Sequence, residues 1–351
     1  MSERVLIAIS GKVESLVAAW LLKKQGRQLR GVYLDILDRE AARNKVLEYE
    51  RKLGISIQVI RAQEMLIPVL KPFFENRLAT GKRFNLKQVF HQKILMPEIL
   101  KIKEQHQFIG LASGHRVLLQ NDPANKQVKV CCYENPAQDE AHLIMGLSQD
   151  QIATIELPLG SIPYKMMERI AVELGLGEFD ELFRIDWKGL ESELLAYFTQ
   201  DMNKTIDVFG ADGGRLGTCT DFTRYCQGDQ YQVPDSPVVP DQNMVITEIN
   251  AKLNQMKIAD LNKRNVYELE LEDAAWFTRA DLGLKVLNTT MIWEPGQKPT
   301  PVKLIQFEES RIKAIIEEPL QGPRANIFSG DSVLWISGNE VLGGARVSRV
   351  K

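Results

Sequence analysis

Long hydrophobic runs, cysteines and an excess of either charge are all scarce in this chain, and each scarcity removes a class of function. No apolar stretch approaches the roughly 20 residues of a membrane-spanning helix. The N-terminus enters the apolar run Val5-Leu6-Ile7-Ala8-Ile9 without a basic leader or a small-residue cleavage site. Neither a membrane protein nor a secreted one is expected, and the address that follows is cytoplasmic. The four cysteines, Cys131, Cys132, Cys219 and Cys226, are too few for a disulfide framework, and no CxxC pair suggests a zinc knuckle. His106 and His142 have no ligand spacing with His115, so no metal site is expected either. With 44 Lys and Arg against 46 Asp and Glu, the net charge of −2 exerts no global pull on nucleic acid. An RNA site would have to be a local patch. Internal repeats and low-complexity tracts are also missing.

What is present is the composition of a globular chain, 44% hydrophobic and 26% charged over 351 residues, with room for two or three domains. Val5 to Ile9 reads as a strand, Leu16 to Leu22 as a helix, Gly31 to Asp35 as a second strand, 38 to 53 as a charged helix and Ile55 to Ile60 as a third strand. Helical patterns follow at about 62 to 79 and 87 to 106, before the buried run Phe108 to His115 ends in a turn. Residues 145 to 176 read as two helical stretches split by Leu157-Pro158-Leu159-Gly160. After about residue 196 the composition shifts: Gly210 to Gly217 is glycine-rich, Pro234, Pro237 and Pro240 fall close together, and from 266 short β-type runs alternate with turns. The expected architecture is α/β, with an N-terminal parallel-sheet domain over residues 1–196 and its ligand site at the carboxyl ends of the strands. A small central domain over 197–265 and a C-terminal β-barrel over 266–351 are expected to follow.

The first strand runs into Ser10-Gly11-Lys12-Val13-Glu14-Ser15. A buried strand ending in a small-residue turn that opens a helix offers backbone N–H groups to an anion, which makes this loop a phosphate-site candidate. The loop resembles the Ser-Gly-Gly-Val-Asp-Ser-Ser loop of the tRNA-specific 2-thiouridylases, members of the ATP-pyrophosphatase loop superfamily. Further matches occur in the same order. Phe74-Glu75 through Gly81-Lys82-Arg83-Phe84-Asn85 is similar to the family's Gly-Arg-Thr-Pro-Asn-Pro loop, and Ala112-Ser113-Gly114-His115 to its Ala-Thr-Gly-His. Asp139 to Gly146, Leu147-Ser148-Gln149-Asp150-Gln151 and Leu157-Pro158-Leu159-Gly160 look like its next three motifs. Gly214-Arg215-Leu216-Gly217 with Tyr225 and Gly228, Glu268 to Trp276, and Arg324-Ala325, Gly330-Asp331 and Val341 to Gly344 look like its closing ones.

The resemblance implies a nucleotide-binding domain similar to the adenine nucleotide alpha hydrolases, a small central domain and a barrel. It also implies an enzyme that activates a wobble uridine of tRNA with ATP and Mg²⁺ and delivers sulfur as a persulfide on a cysteine, released by a second cysteine. In this chain the first cysteine position falls on Phe90, with His91 where an asparagine follows it, and the second falls near Lys188. No cysteine lies between Cys132 and Cys219. Without a thiolate at these positions no side chain carries the sulfur, so no catalytic residue is assigned. Cys219 and Cys226 stand where the family has histidine and threonine, and both are expected to be packing or surface residues rather than a relocated pair.

Lys12 stands in place of a loop glycine and Glu14 in place of an aspartate. A Cβ at Lys12 is expected to strain a position needing φ above zero, by roughly 1 kcal/mol or more, or else its ammonium occupies the phosphate site. The extra methylene of Glu14 displaces a Mg²⁺ ligand by more than about 1 Å. The expected nucleotide site, Ser10, Gly11, Lys12, Glu14, Ser15, Gly114 and His115, is therefore degenerate, binding ATP and Mg²⁺ weakly or not at all. A plain strand-to-helix turn is the other reading. Lys82, Arg83, Lys87, His91 and Lys93 are the candidate RNA contacts, with a solvated helix face as the alternative. The function expected is a divergent 2-thiouridylase-like protein that binds tRNA or other RNA without persulfide-based thiolation. The alternatives are an active ATP-dependent tRNA sulfurtransferase working through other thiols, a member of the superfamily that adenylates a substrate for another nucleophile, and a scaffold for a protein partner.

Overall fold

A computed structural model of the chain describes residues 4–124, 126–176, 180–200, 202, 205–234, 243–278, 286–294, 296–308 and 310–351. The first half alternates strand and helix: β1 (Arg4–Ala8), α1 (Val13–Lys24), β2 (Gln28–Asp35), α2 (Glu40–Leu53), β3 (Ser56–Arg61), α3 (Gln63–Thr80), α4 (Leu86–Phe90), α5 (Met96–Gln105) and β4 (Gly110–Ala112). After them come β5 (Leu118–Asp122), β6 (Gln127–Cys131), α6 (Gln149–Ile152), β7 (Ile155–Glu156), α7 (Tyr164–Glu173), α8 (Asp180–Phe183) and α9 (Trp187–Thr199). The second half is built of strands: β8 (Ile206–Phe209), β9 (Arg215–Cys219), β10 (Met244–Asn250), β11 (Gln255–Asp260), β12 (Asn265–Trp276), β13 (Val286–Ile292), β14 (Thr300–Glu308), β15 (Arg311–Gln321), β16 (Ser332–Ser337) and β17 (Glu340–Val350).

Strands β3-β2-β1-β4-β7 form one all-parallel sheet in that order. A central parallel strand is covered on both faces and must be apolar on both. In β1, Val5 and Ile7 accordingly face the core under α1, α2 and α7, while Leu6 faces the core under α3 to α5. The strand order reverses between β1 and β4, so the loops after these two strands meet in one crevice, as in other open α/β sheets. Strands β10-β11-β8-β9 make a small second sheet. Strand β12 pairs with both β15 and β17, which closes β12-β15-β14-β13-β16-β17 into a six-stranded barrel filled by Trp335, Leu269 and Val302.

Three features depart from the sequence expectations. The stretch 145 to 176 is not two helices alone: a two-residue strand, β7, joins the parallel sheet at its edge, too short to leave an alternation pattern. Hairpin β5–β6 leaves the parallel sheet and extends the barrel sheet through β17, where Val341 pairs with Val130. The helix expected over 87 to 106 is interrupted by one π-helical turn, His91–Leu95, a geometry that often accompanies function. Pro237 and Pro240 of the proline cluster lie outside the described residues. Among the described residues no helix is long and apolar enough to cross a membrane.

The loop after α3 ties the three sheets together. Gln227 N donates to Gly81 O at 2.8 Å, and Ala251 N to Ala79 O at 3.0 Å, which fixes the loop to the second sheet. Arg83 N donates to Ser329 O at 3.0 Å. The Arg83 side chain donates to Gln227 O, pairs with Asp331 at 3.7 Å and lies 4.8 Å from the Phe328 ring centre. This close approach needs a glycine opposite: Gly330 has φ 98°, and a Cβ there would fall 1.8 Å from Arg83 O.

Gly330→Ala is therefore expected to cost at least about 3 kcal/mol, combining backbone strain with a backbone clash. Gly26, with φ 86° and nothing within 4 Å of an added Cβ, serves as the control. Gly26→Ala should cost only about 1 kcal/mol. Urea-unfolding midpoints compare the two, and equal losses would contradict the tie between sheets.

Candidate functional site

The crevice between β1 and β4 holds the loop that sequence singled out, but its backbone is arranged differently from the expectation. Gly11 takes the positive φ, 81°, whereas Lys12 is extended at φ −77° and ψ 158°. Lys12 therefore carries no backbone strain, because the left-handed position lies one residue earlier. The loop also uses its own donors. Ser15 Oγ accepts from Ser10 N and from Ser10 Oγ, both at 3.1 Å, and donates to Lys12 O at 2.9 Å. Lys12 N donates to Ser10 Oγ at 3.3 Å. Two amides that an anion could take are thus committed inside the loop. Above it the ring of Phe183 packs so closely that a Cβ on Gly11 would fall 2.1 Å from Cδ1.

Glu14 opens a chain of ion pairs. Arg116 Nη1 sits 2.9 Å from Glu14 Oε1, Arg116 Nη2 is 3.5 Å from Glu140, and Lys87 Nζ is 3.1 Å from Glu140. Burial alone would raise the Glu140 carboxyl, but His115, Lys87 and Arg116 together hold it down at about 2. A guanidinium therefore already lies on the carboxylate that would ligate Mg²⁺. With Phe183 on the glycine and Arg116 on Glu14, the residues present do not fit Mg-ATP. Among the described residues, no group of three or more His, Cys, Asp or Glu is placed to hold a metal ion.

Beside this chain lies a histidine relay. Ser113 Oγ is 2.7 Å from His115 Nδ1, and His115 Nε2 is 3.0 Å from His91 Nδ1. Burial pushes the pKa values of both histidines down, His91 well below the usual value, and brings His142 to about 4. The cavity enclosed by the loop, the relay and Phe183 has a volume of about 250 Å³.

At the first cysteine position Phe90 is buried, 5% exposed, with its ring 5.4 Å from that of Trp187. Trp187 opens α9 and directly precedes Lys188, so the aromatic partner of Phe90 is the neighbour of the residue near which the second thiol was expected. All four cysteines are free and lie elsewhere. Cys226 lines a second cavity of about 520 Å³ together with Arg77, Trp187, Lys188 and Glu191. Burial pushes its thiol up to about 12, and that of Cys132 to about 11.

The basic cluster of the sequence does not form one exposed face. Lys82 pairs with Glu272 at 3.7 Å, Arg83 is built into the tie between sheets, Lys87 serves Glu140, and His91 belongs to the relay. Lys93 is exposed on the rim of a third cavity. Several residues of the crevice were missed from sequence. Arg116 directly follows His115 and Glu140 lies in a matched motif, so both were within reach, but Phe183 and Trp187 leave no local signal.

Histidines buried in neutral form are expected to make the fold acid-labile. His142 binds a proton more tightly in the unfolded chain, at the usual 6.5, than in the fold, at about 4. Its stability contribution is complete above about pH 6.5 and is lost as the pH falls toward 4. Glu140, at about 2 against 4.5, adds to the loss below pH 4.5. His142→Gln should remove on the order of 2 kcal/mol from the fall in stability between pH 7 and 4.5. Urea titrations at several pH values measure this, and an unchanged slope would contradict the burial of a neutral imidazole.

Residues 3–181 match the family described as the tRNA methyl transferase HUP domain. The tRNA-specific 2-thiouridylase MnmA of Nostoc punctiforme is 22% identical over 356 residues, covering 99% of this chain and 99% of its own. That of Clostridioides difficile is 23% identical over 369 residues, again with 99% of each chain covered. The likeness thus spans the parallel sheet, the second sheet and the barrel alike. With just over half of its residues matching the family and relatives aligned along its whole length, the chain belongs to the tRNA methyl transferase HUP domain family, the family of the tRNA-specific 2-thiouridylases.

Proposed function

We propose that this protein is a tRNA-binding member of the 2-thiouridylase family that does not carry sulfur. The observation that carries the reading is the Phe90–Trp187 pair, rings 5.4 Å apart, with Phe90 at the position expected for the first thiol and Trp187 beside Lys188, near which the second is expected. Neither ring holds a persulfide. Cys226 supports no replacement, because a thiol pushed up to about 12 is almost wholly protonated at neutral pH and is a poor nucleophile. The crowded loop and the Glu14–Arg116 pair support weak binding of Mg-ATP, with Kd in the millimolar range or above, about −4 kcal/mol or weaker.

RNA is the proposed partner. The relatives that align over the full chain are named tRNA-specific enzymes, and the cavity of about 520 Å³ joins the aromatic surface of Trp187 and Trp293 to the exposed cation Lys188. Such a site combines stacking with phosphate contacts. Arg83 is not offered as a contact, because its replacement would loosen the fold.

Given tRNA, Mg-ATP and a persulfide donor, the purified protein should yield no 2-thiouridine when the nucleosides are separated and weighed. Product that disappears in Cys226→Ser would support the competing reading of an active sulfurtransferase with a relocated thiol. Binding of tRNA should weaken with salt at a shallow slope in log Kobs of roughly −2 to −4, since Lys82, Arg83 and Lys87 already face carboxylates. The exposed Lys93 and Lys188 should each account for about one unit of that slope when changed to alanine. Filter binding across a salt series reads both, and no binding at about 50 mM salt, where phosphate contacts are strongest, would overturn the RNA reading.

A further inference from the structure

The weak nucleotide site is covered by the chain itself. Residues 181 to 187 cross the crevice as a strap, and Leu182, Phe183, Ile185 and Trp187 form one wall of the cavity of about 250 Å³ above the loop. Phe183, 5% exposed, is the seat of the strap. Its ring meets Tyr33 edge-on with centroids 5.9 Å apart, meets Tyr49 at 5.9 Å, and closes on the Cα of Gly11. A clamp holds the strap from outside. Arg39, next to the start of α2, donates from Nη1 to Leu182 O at 3.2 Å and to Arg184 O at 3.1 Å.

An anion bound by such a loop must approach the backbone to hydrogen-bond distance, and the missing side chain of a loop glycine is what leaves room for it. Here that room is filled by an aromatic ring from a segment remote in sequence. The loop itself is not misshapen, since Gly11 keeps the left-handed conformation and Lys12 is unstrained.

We propose that the strap is an autoinhibitory cover: Phe183 occupies the approach to Gly11, and nucleotide phosphate and strap compete for the same place. The proposal rests on the reading that Mg-ATP binds the unaltered chain weakly, and it assigns that weakness to a movable cover. Only molecules with the strap lifted bind, so the apparent Kd equals the intrinsic Kd divided by their fraction. Lys12, Glu14 and Arg116 then set what the uncovered loop accepts.

Calorimetry with ATP, with and without Mg²⁺, on the full chain and on Phe183→Ala tests this. The variant should bind at least about tenfold more tightly, because the covered fraction is abolished. A variant that unfolds cooperatively on heating yet binds no more tightly overturns the proposal. Trypsin gives a reading independent of the variant's folding. About 10 mM ATP, well above a millimolar Kd, should speed cleavage of the unaltered chain after Arg184, as the strap is lifted. Unchanged or slower cleavage at that bond overturns the proposal. Micromolar binding by the unaltered chain would remove the weak-binding reading itself, whereas equally weak binding by both proteins removes the strap alone.

Discussion

The Arg83 side chain is the constraint on which the rest of the molecule depends. It leaves the loop that ends the third helix of the parallel sheet, reaches Gln227 O beside the second sheet and Asp331 at the barrel, and is flanked by Phe328. Arg264 lies 4.0 Å from the same ring, so a phenyl group is held between two guanidinium groups. Interfaces within a chain permit relative motion unless something specific fixes them. Here the fixing group is a cation whose approach is so close that Gly330 has no room for a Cβ. The cavity of about 520 Å³ exists where these three bodies meet, and Arg83 and Asp331 line it. A motif that resembles a tRNA-facing loop thus serves first as the joint of the fold.

A second network lies in the crevice between β1 and β4. Glu14, Arg116, Glu140 and Lys87 satisfy one another's charge in series, and Lys87 borders both cavities. Breaking a buried pair by removing one partner is far more damaging than its net contribution suggests, because the other charge is stranded. Replacing Arg116 would accordingly expose Glu14 and raise the carboxyl of Glu140 at once. A metal at Glu14 would have to compete with a guanidinium already in contact. Glu14 and Arg116 thus belong to one connected set, while Phe183 packs against Gly11 of the same loop.

How far the sequence could be read followed the range of the interactions. The opening strand, Gly31 to Asp35 and the helices over 38 to 53 and 62 to 79 depend on local periodicity, and each lies within a few residues of its observed bounds. Strand β7 has two residues and no pattern, and the β5–β6 hairpin is placed by pairing with a strand some two hundred residues later. Motif order led to the loop after the first strand and to Phe90 as the expected position of the first thiol. It could not show that Lys12 would be extended, since one neighbour, Gly11, absorbs the positive φ. Nor could it reveal that Lys82, Arg83 and Lys87 each face a carboxylate, because Glu272, Asp331 and Glu140 are distant along the chain.

The central claim is that no side chain here carries sulfur, and the covalent state of the protein tests it most directly. The full chain should be incubated with a persulfide-generating donor, the donor removed, and the intact mass measured before and after a thiol reductant. The account predicts an unchanged mass, because Phe90 and the region of Lys188, where the resemblance would put the two thiols, hold no cysteine and the Cys226 proton is held up to about 12. A reductant-sensitive gain of one sulfur atom that peptide mapping places on Cys226 would contradict it.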